Sequence, residues 1–318
     1  GVMATIQFRP NNSWTSTFDA FHTEAEQIDT ANQFELNLSN YNGNYTPGLL
    51  VSNPQVNANG SFTGGTASGV YPLVRGMYNK RKDKIDAFGW NNEFNFGGVK
   101  LVADLNYSKA TRDELNLENN LQLTPMPQLD TVGVSIRQDG FSQITPGLNY
   151  SNPDALFLTN TIYGSGYGKV PQVEDRLKGG KLAATIALPD AIASWAPDID
   201  IGVNYADRRK VKTQSEGNIL LGAQGDANIA SDLQYRPVDL GFAGLGTIPA
   251  WNVPAAVGRY MTFNPVDNLD YLIPKSWTVE EKITTAWARL NINTDIGEVG
   301  VRGNIGVQMQ HTDHSSDS

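Results

Sequence analysis

Eight segments of the chain alternate apolar with polar residues at period 2, the pattern of strands whose two faces meet different surroundings. In the first, Val2, Ala4, Ile6 and Phe8 share one face, with Met3, Thr5 and Gln7 behind them. The second places Trp14, Phe18 and Ala20 together. The third sets Phe88, Trp90, Phe94 and Phe96 opposite Gly89, Asn91, Glu93 and Asn95. The fourth sets Val99, Leu101, Ala103, Leu105 and Tyr107 opposite Lys100, Asp104, Asn106 and Ser108. Leu182, Ala184, Ile186 and Leu188 carry the fifth. Ile199, Ile201, Val203 and Tyr205 carry the sixth, backed by Asp200, Gly202 and Asn204. The seventh, Thr284 to Ile292, is less regular, with Ala286, Ala288, Leu290 and Ile292 facing one way and Trp287, Arg289 and Asn291 the other. The eighth sets Val299, Val301, Ile305, Val307 and Met309 against Arg302, Asn304, Gln308 and Gln310.

The connections alternate strictly in length. Residues 9–13, 97–98, 189–198 and 293–298 are short links, and Gly97-Gly98 is a tight hairpin turn. Residues 26–80, 114–173 and 213–278 are long links, each over 40 residues. Structureless loops of that length are unusual in a compact soluble domain. Short turns at one end and long loops at the other describe an outer-membrane barrel.

Charge sharpens the reading. On the apolar phase, charged residues enter only at the long-loop end, at Asp86, Arg176, Lys178 and Lys282. Between there and the short turns that phase carries no Asp, Glu, Lys or Arg in any of the eight segments. A soluble sandwich also alternates, but it explains neither the loop asymmetry nor this charge-free window. The expected fold is all-β: a partial antiparallel transmembrane β-barrel of about eight strands in four hairpins, with short periplasmic turns and long extracellular loops. Trp14, Phe96 and Trp195 near the short turns, and Trp90, Tyr107, Tyr205 and Trp277 toward the loops, are expected to form two aromatic girdles.

Composition removes several function classes. The 318 residues carry a net charge of −9, 18% charged residues and a mean hydropathy of −0.35. An acidic balance argues against nucleic acid as a partner. With no cysteine, disulfides and thiol chemistry are excluded. No apolar run is long enough for a membrane helix. Gly164 to Lys169 lacks the spacing of a phosphate loop, and Val170 stands where a Ser or Thr would hold magnesium. His311-Thr312-Asp313-His314 reads as a polar strand end rather than a metal site. Lys80-Arg81-Lys82-Asp83-Lys84 reads as a solvated rim at the level of lipid head groups. Asp113-Glu114 and Glu280-Glu281 point to opposite faces of their strands and form no acid–base pair. No enzyme, metal or cofactor is expected.

Several segments resemble the barrel of TonB-dependent outer-membrane receptors: residues 1–11, Asp83-Lys-Ile-Asp-Ala-Phe-Gly89, Ala103-Asp-Leu-Asn-Tyr-Ser-Lys109, Pro237-Val-Asp-Leu-Gly-Phe-Ala-Gly-Leu245 and Trp277-Thr-Val-Glu-Glu-Lys-Ile283. The most specific is Val301-Arg-Gly-Asn-Ile-Gly-Val307 with His311-Thr-Asp313 after it. The resemblance runs through nearly the whole chain and is closest to large receptors linked to oligosaccharide uptake. It implies a Gram-negative outer-membrane receptor with a plugged barrel of about 22 strands. Such receptors bind a scarce nutrient, oligosaccharide or siderophore, for import energised through TonB. Residues 1–318 are then part of one barrel domain, with the plug, the TonB box and the C-terminal strands absent.

Within that frame, Glu93, Asp104, Asn106, Asn204, Arg302, Asn304 and Gln308 are expected to face the lumen, with Trp287 and Arg289 touching the plug. Trp251, Tyr163 and Tyr167 are candidate ligand-stacking rings. The implied partners are outer-membrane lipid and lipopolysaccharide, the receptor's own plug, the TonB complex and a small-molecule or oligosaccharide ligand. Two alternatives are a complete small porin-like or adhesive barrel and a secreted carbohydrate-binding sandwich.

Overall fold

The computed structural model describes residues 1–36, 38, 50–123 and 128–318. Eight long strands dominate: β1 (Val2–Asn11), β2 (Trp14–Glu35), β3 (Leu73–Phe96), β4 (Val99–Leu123), β5 (Gly166–Ala187), β6 (Asp198–Leu221), β7 (Trp277–Ile296) and β8 (Val299–Asp317). They form one antiparallel sheet in chain order, each strand beside its sequence neighbours. The outer edges, on β1 and β8, are not paired with each other among the described residues. The short links fall at or within a residue of the expected segments, the last narrowed to residues 297–298, and Gly97 and Gly297 take φ of +62° and +67° in two of the three two-residue turns.

Directly opposed residues in antiparallel strands share a face, so the register tests the alternation across the sheet. The row Trp14, Phe94, Leu101, Ala184, Ile201, Ala288, Val307 crosses seven strands without leaving the apolar phase. Pairings from β2 to β8 carry no bulge, so each strand keeps its phase to its end. One face is therefore apolar and the other polar throughout the short-turn half.

The strands are longer than the alternation indicates. β2 to β7 span 20 to 25 residues, and they run deep into the segments expected as loops. Beyond the apolar window both faces are polar, so period 2 vanishes from the sequence while the ladder continues. Ion pairs between neighbouring strands replace apolar contacts there: Lys82–Glu24 at 2.6 Å, Lys80–Glu26 at 3.1 Å, Lys109–Glu174 at 2.8 Å and Lys178–Asp207 at 3.2 Å. Trp277 also departs from expectation. It opens β7 on the polar phase beyond these charges, with the Lys210 ammonium 5.9 Å above its ring, and so belongs to neither girdle.

The closed core lies at the long-loop end. Val74, Leu117, Leu121 and Ile219 from the strands pack with Tyr150, Leu156, Ile248, Trp251, Val257 and Met261 from the connections. Val74, Leu117, Leu121 and Ile219 share the phase of Phe88 and Leu101, so this core sits on the apolar face, beyond the charged belt. The helix Val253–Tyr260 starts where the Asn252 side chain accepts the Ala255 amide at 3.1 Å and Pro254 fits the first turn. A four-stranded sheet, Leu50–Val56, Phe62–Val70, Asp130–Ser135 and Gln143–Thr145, forms a second small core around Ala67, Val70, Val132 and Val134. Buried Asp130 ties the connection above it, accepting the Gly147 amide at 3.1 Å and the Tyr150 hydroxyl at 3.0 Å.

The short turns step in one direction across the sheet. The β1–β2 hairpin closes at Asn11–Trp14, and β3–β4 closes two residues past Phe94, the partner of Trp14. The β5–β6 hairpin closes one residue past Ile186, the partner of Val99. The β7–β8 hairpin closes six residues past Leu290, the partner of Ile199. The drift is about 26 Å along the strands for about 29 Å across them, a tilt of about 40° if the turns lie in one plane.

Candidate functional site

Two surfaces stand out, one on each face. The apolar face is bare across all eight strands between the short turns and the charged belt. Val2 is 68% exposed, Leu105 55%, Val307 75% and Met309 72%, and no second layer covers them among the described residues. The charge-free window is about 10 residues long on β3 and β4, the length a tilted strand needs to cross a hydrocarbon core.

Among the depressions on the polar face, two adjoin the candidate residues. At the short-turn half, a cleft of about 640 Å³ is lined by Lys100, Lys181, Thr185, Asp200, Trp287 and Arg289. Asp200 organises it: it accepts the Thr185 hydroxyl at 2.6 Å and the Arg289 Nε at 2.9 Å, and Asn291 Nδ2 at 3.1 Å. Trp287 lies across Gly202 on β6. The irregular seventh strand is thus built around a wall-to-wall fit, with Trp287 and Arg289 side by side on the polar face. Asp104 sits on the same face and accepts Asn91 Nδ2 at 3.1 Å. Asn204 lies between Lys181 and Thr285 in the register, and Arg302 donates to Asn293 at 3.2 Å.

The second depression, about 540 Å³, lies at the long-loop end and is lined by Asp29, Met77, Asn79, Asn116, Tyr167 and Lys169 among others. Glu118, also in its lining, pairs with Arg75 at 3.6 Å, and Arg75 pairs with Glu35 at 3.3 Å. The Arg75 guanidinium stands 5.6 Å from the Tyr163 ring. Tyr163 and Tyr167 are thereby brought to one region of the polar face. Behind Tyr167 lies Glu216, 1% exposed and ion-paired with Lys275. Burial pushes the Glu216 carboxyl up, but Lys275 and the Tyr167 hydroxyl outweigh it and hold the group below its usual range. Burial and the same carboxylate push the Tyr167 hydroxyl well above the ordinary tyrosine value.

Trp251 is placed elsewhere. It is 2% exposed on the opposite face, its indole Nε1 donates to Asn119 Oδ1 at 3.0 Å, and a Cβ on Gly76 would come within 2.5 Å of its ring. The ring is packing, closed to any ligand in this arrangement. Arg75, Glu118, Glu216 and Lys275 have no local signature in the sequence. Arg75 meets Glu118 across the β3–β4 pairing, and Glu216 meets Lys275 because the segment before β7 runs along the edge of β6.

Comparison with protein-family models and with curated proteins returned no match for this chain.

Proposed function

We propose that this chain is wall of an outer-membrane β-barrel, and that the barrel belongs to an uptake receptor of the TonB-dependent type in a Gram-negative bacterium. The observation that carries the membrane reading is the bare apolar face, continuous over eight strands and bounded by turns on one side and ion pairs on the other. Monomeric soluble proteins rarely expose contiguous apolar patches beyond a few hundred Å². The stepping of the short turns supports it as well, since barrel strands tilt by about 35–45°.

The receptor reading rests on the resemblance of the strand segments and is supported by the polar opposite face. Lipid and lipopolysaccharide would lie against the apolar band and the charged belt. A small-molecule or oligosaccharide ligand would enter from the long-loop side, where Tyr167 lines the upper depression and Tyr163 stands beside Arg75. Asp104, Asn204, Trp287, Arg289 and Arg302 would face the lumen and its plug, and coupling to TonB would run through regions outside these residues.

Two observations weigh against the alternatives. A soluble sandwich would cover its apolar face with a second sheet, and none lies over the band among the described residues. A self-closed eight-strand barrel would pair β1 with β8, and these two strands are not paired with each other among the described residues.

The test is fractionation of the native protein followed by uptake. The protein is expected in the outer-membrane fraction, and deletion of its gene is expected to abolish energy-dependent uptake of one nutrient from a panel of oligosaccharides and iron chelates. Recovery from the soluble fraction would overturn the membrane reading. Outer-membrane location with uptake that an uncoupler leaves untouched would overturn the receptor reading alone.

A further inference from the structure

Glu216 lies on the polar face of β6, and a carboxylate buried to 1% exposure is tolerated only when paired. The groups that face it come from two different elements. Lys275, from the segment before β7, holds one carboxylate oxygen. From β5, Lys169 is the register partner of Glu216, and the Tyr167 hydroxyl lies near the same carboxylate, with Tyr271 near Tyr167. The Lys275 ammonium also stands 5.4 Å from the Tyr271 ring.

The backbone shows what this cluster fastens. β7 pairs with β6 only up to Lys212–Trp277, which leaves the upper edge of β6 without its long neighbour. Residues 261–276 occupy that edge. Met261–Phe263 pairs with Ile219–Leu221, Glu216 and Val266 exchange two backbone hydrogen bonds of 3.0 and 3.1 Å, and the Gln214 amide donates to Ser276 Oγ at 3.0 Å. The segment is a strap along the strand edge, and Glu216 joins it to the wall through side chains as well as backbone.

Tyr167 and Lys169 also line the upper depression. An occupant engaging the Tyr167 hydroxyl there acts on a residue that lies beside the buried Glu216. We propose that Glu216 is a positioning residue that latches residues 261–276 to the wall of this depression, and that displacement of Tyr167 loosens the strap as a unit. The cluster lies beyond the charged belt, so this inference stands or falls independently of the membrane reading.

The test is amide hydrogen exchange on the full chain, in detergent micelles or in buffer, whichever keeps it folded. Glu216→Gln is expected to speed exchange at Glu216, Val266 and residues 264–276 by about tenfold or more, because local opening sets the rate. Residues 130–150 should exchange as in the parent. Lys275→Met should affect the same region, and the double variant should be no faster than Glu216→Gln alone. Tyr167→Phe keeps the ring, removes the hydroxyl and should accelerate the strap to a smaller degree; it is also the readout if Glu216→Gln does not fold. Unchanged exchange at 264–276, additive effects, or equal acceleration at 130–150 would each overturn the latch. A strap indifferent to Tyr167→Phe would overturn its link to the depression.

Discussion

Trp287 and Gly202 face each other across the β6–β7 ladder, and the indole occupies the space where a Cβ on Gly202 would stand. The same device recurs on the other face, where Trp251 covers Gly76 and Phe263 covers Gly168, each within about 2.5 Å of the position a Cβ would take. A large ring laid over a glycine lets a long flat strand accept bulk without a bulge.

Replacing Gly202 by Val should therefore push Trp287 off its seat and cost about 1–3 kcal/mol, as overpacking does. Gly303→Ala on β8 is the control, since a Cβ there meets nothing within 4 Å. Urea unfolding with tryptophan emission as the probe checks both. Equal stability of the two variants would remove the wall-fitting role of Trp287.

Trp251 should behave as core. Trp251→Ala is expected to cost about 3–5 kcal/mol. Trp251→Phe should cost about 1–3 kcal/mol, because it strands the buried Asn119 oxygen that the indole satisfies. Thermal unfolding measures these losses. A stable Trp251→Ala protein with altered ligand affinity would place the ring in a binding role after all.

The two faces should respond oppositely to charge. Val203→Arg, in the middle of the apolar band, is expected to lower folding stability in bilayers by about 2–4 kcal/mol. Asn204→Lys, one residue on and facing the other way, should change it little. Reversible unfolding from liposomes distinguishes the two positions.

Acid should loosen the upper wall late. Asp175 is held below its usual carboxyl range by the bidentate Arg208 fork, at 2.9 and 2.5 Å. A depressed folded-state value means the pair contributes fully above the ordinary carboxylate range, and the contribution disappears as pH falls through the folded value. Arg208 is half exposed, so screening limits the pair to about 1 kcal/mol or less. Asp175→Asn should be slightly less stable than the parent at neutral pH, and the difference should vanish in strong acid. Paired unfolding curves across pH would show it.

The short-turn half of the wall was legible in the sequence because each strand there separates two unlike environments. Phe88, Trp90, Leu101, Leu105, Ile201 and Val203 fall on one face in the sheet as they do in the alternation. Legibility ended where the environments became alike. From Lys80 to Lys84 neither face is apolar, so nothing in the pattern marks residues that continue β3. The upper site is half legible: Tyr163 and Tyr167 stand out as aromatics in a polar connection, whereas Glu216 and Lys275, 59 positions apart, meet through strand-edge geometry alone.

The most direct test of the two-faced wall uses the absence of cysteine from the chain. Single cysteines from 199 to 206 on β6, spin-labelled in liposomes, report collision with oxygen in lipid or with a polar relaxant in water. Positions 199, 201, 203 and 205 are expected to favour oxygen and positions 200, 204 and 206 the polar relaxant, alternating at period 2; 202 is left out because Trp287 covers Gly202. Equal access of the polar relaxant to both sets would place both faces in water and contradict the membrane wall.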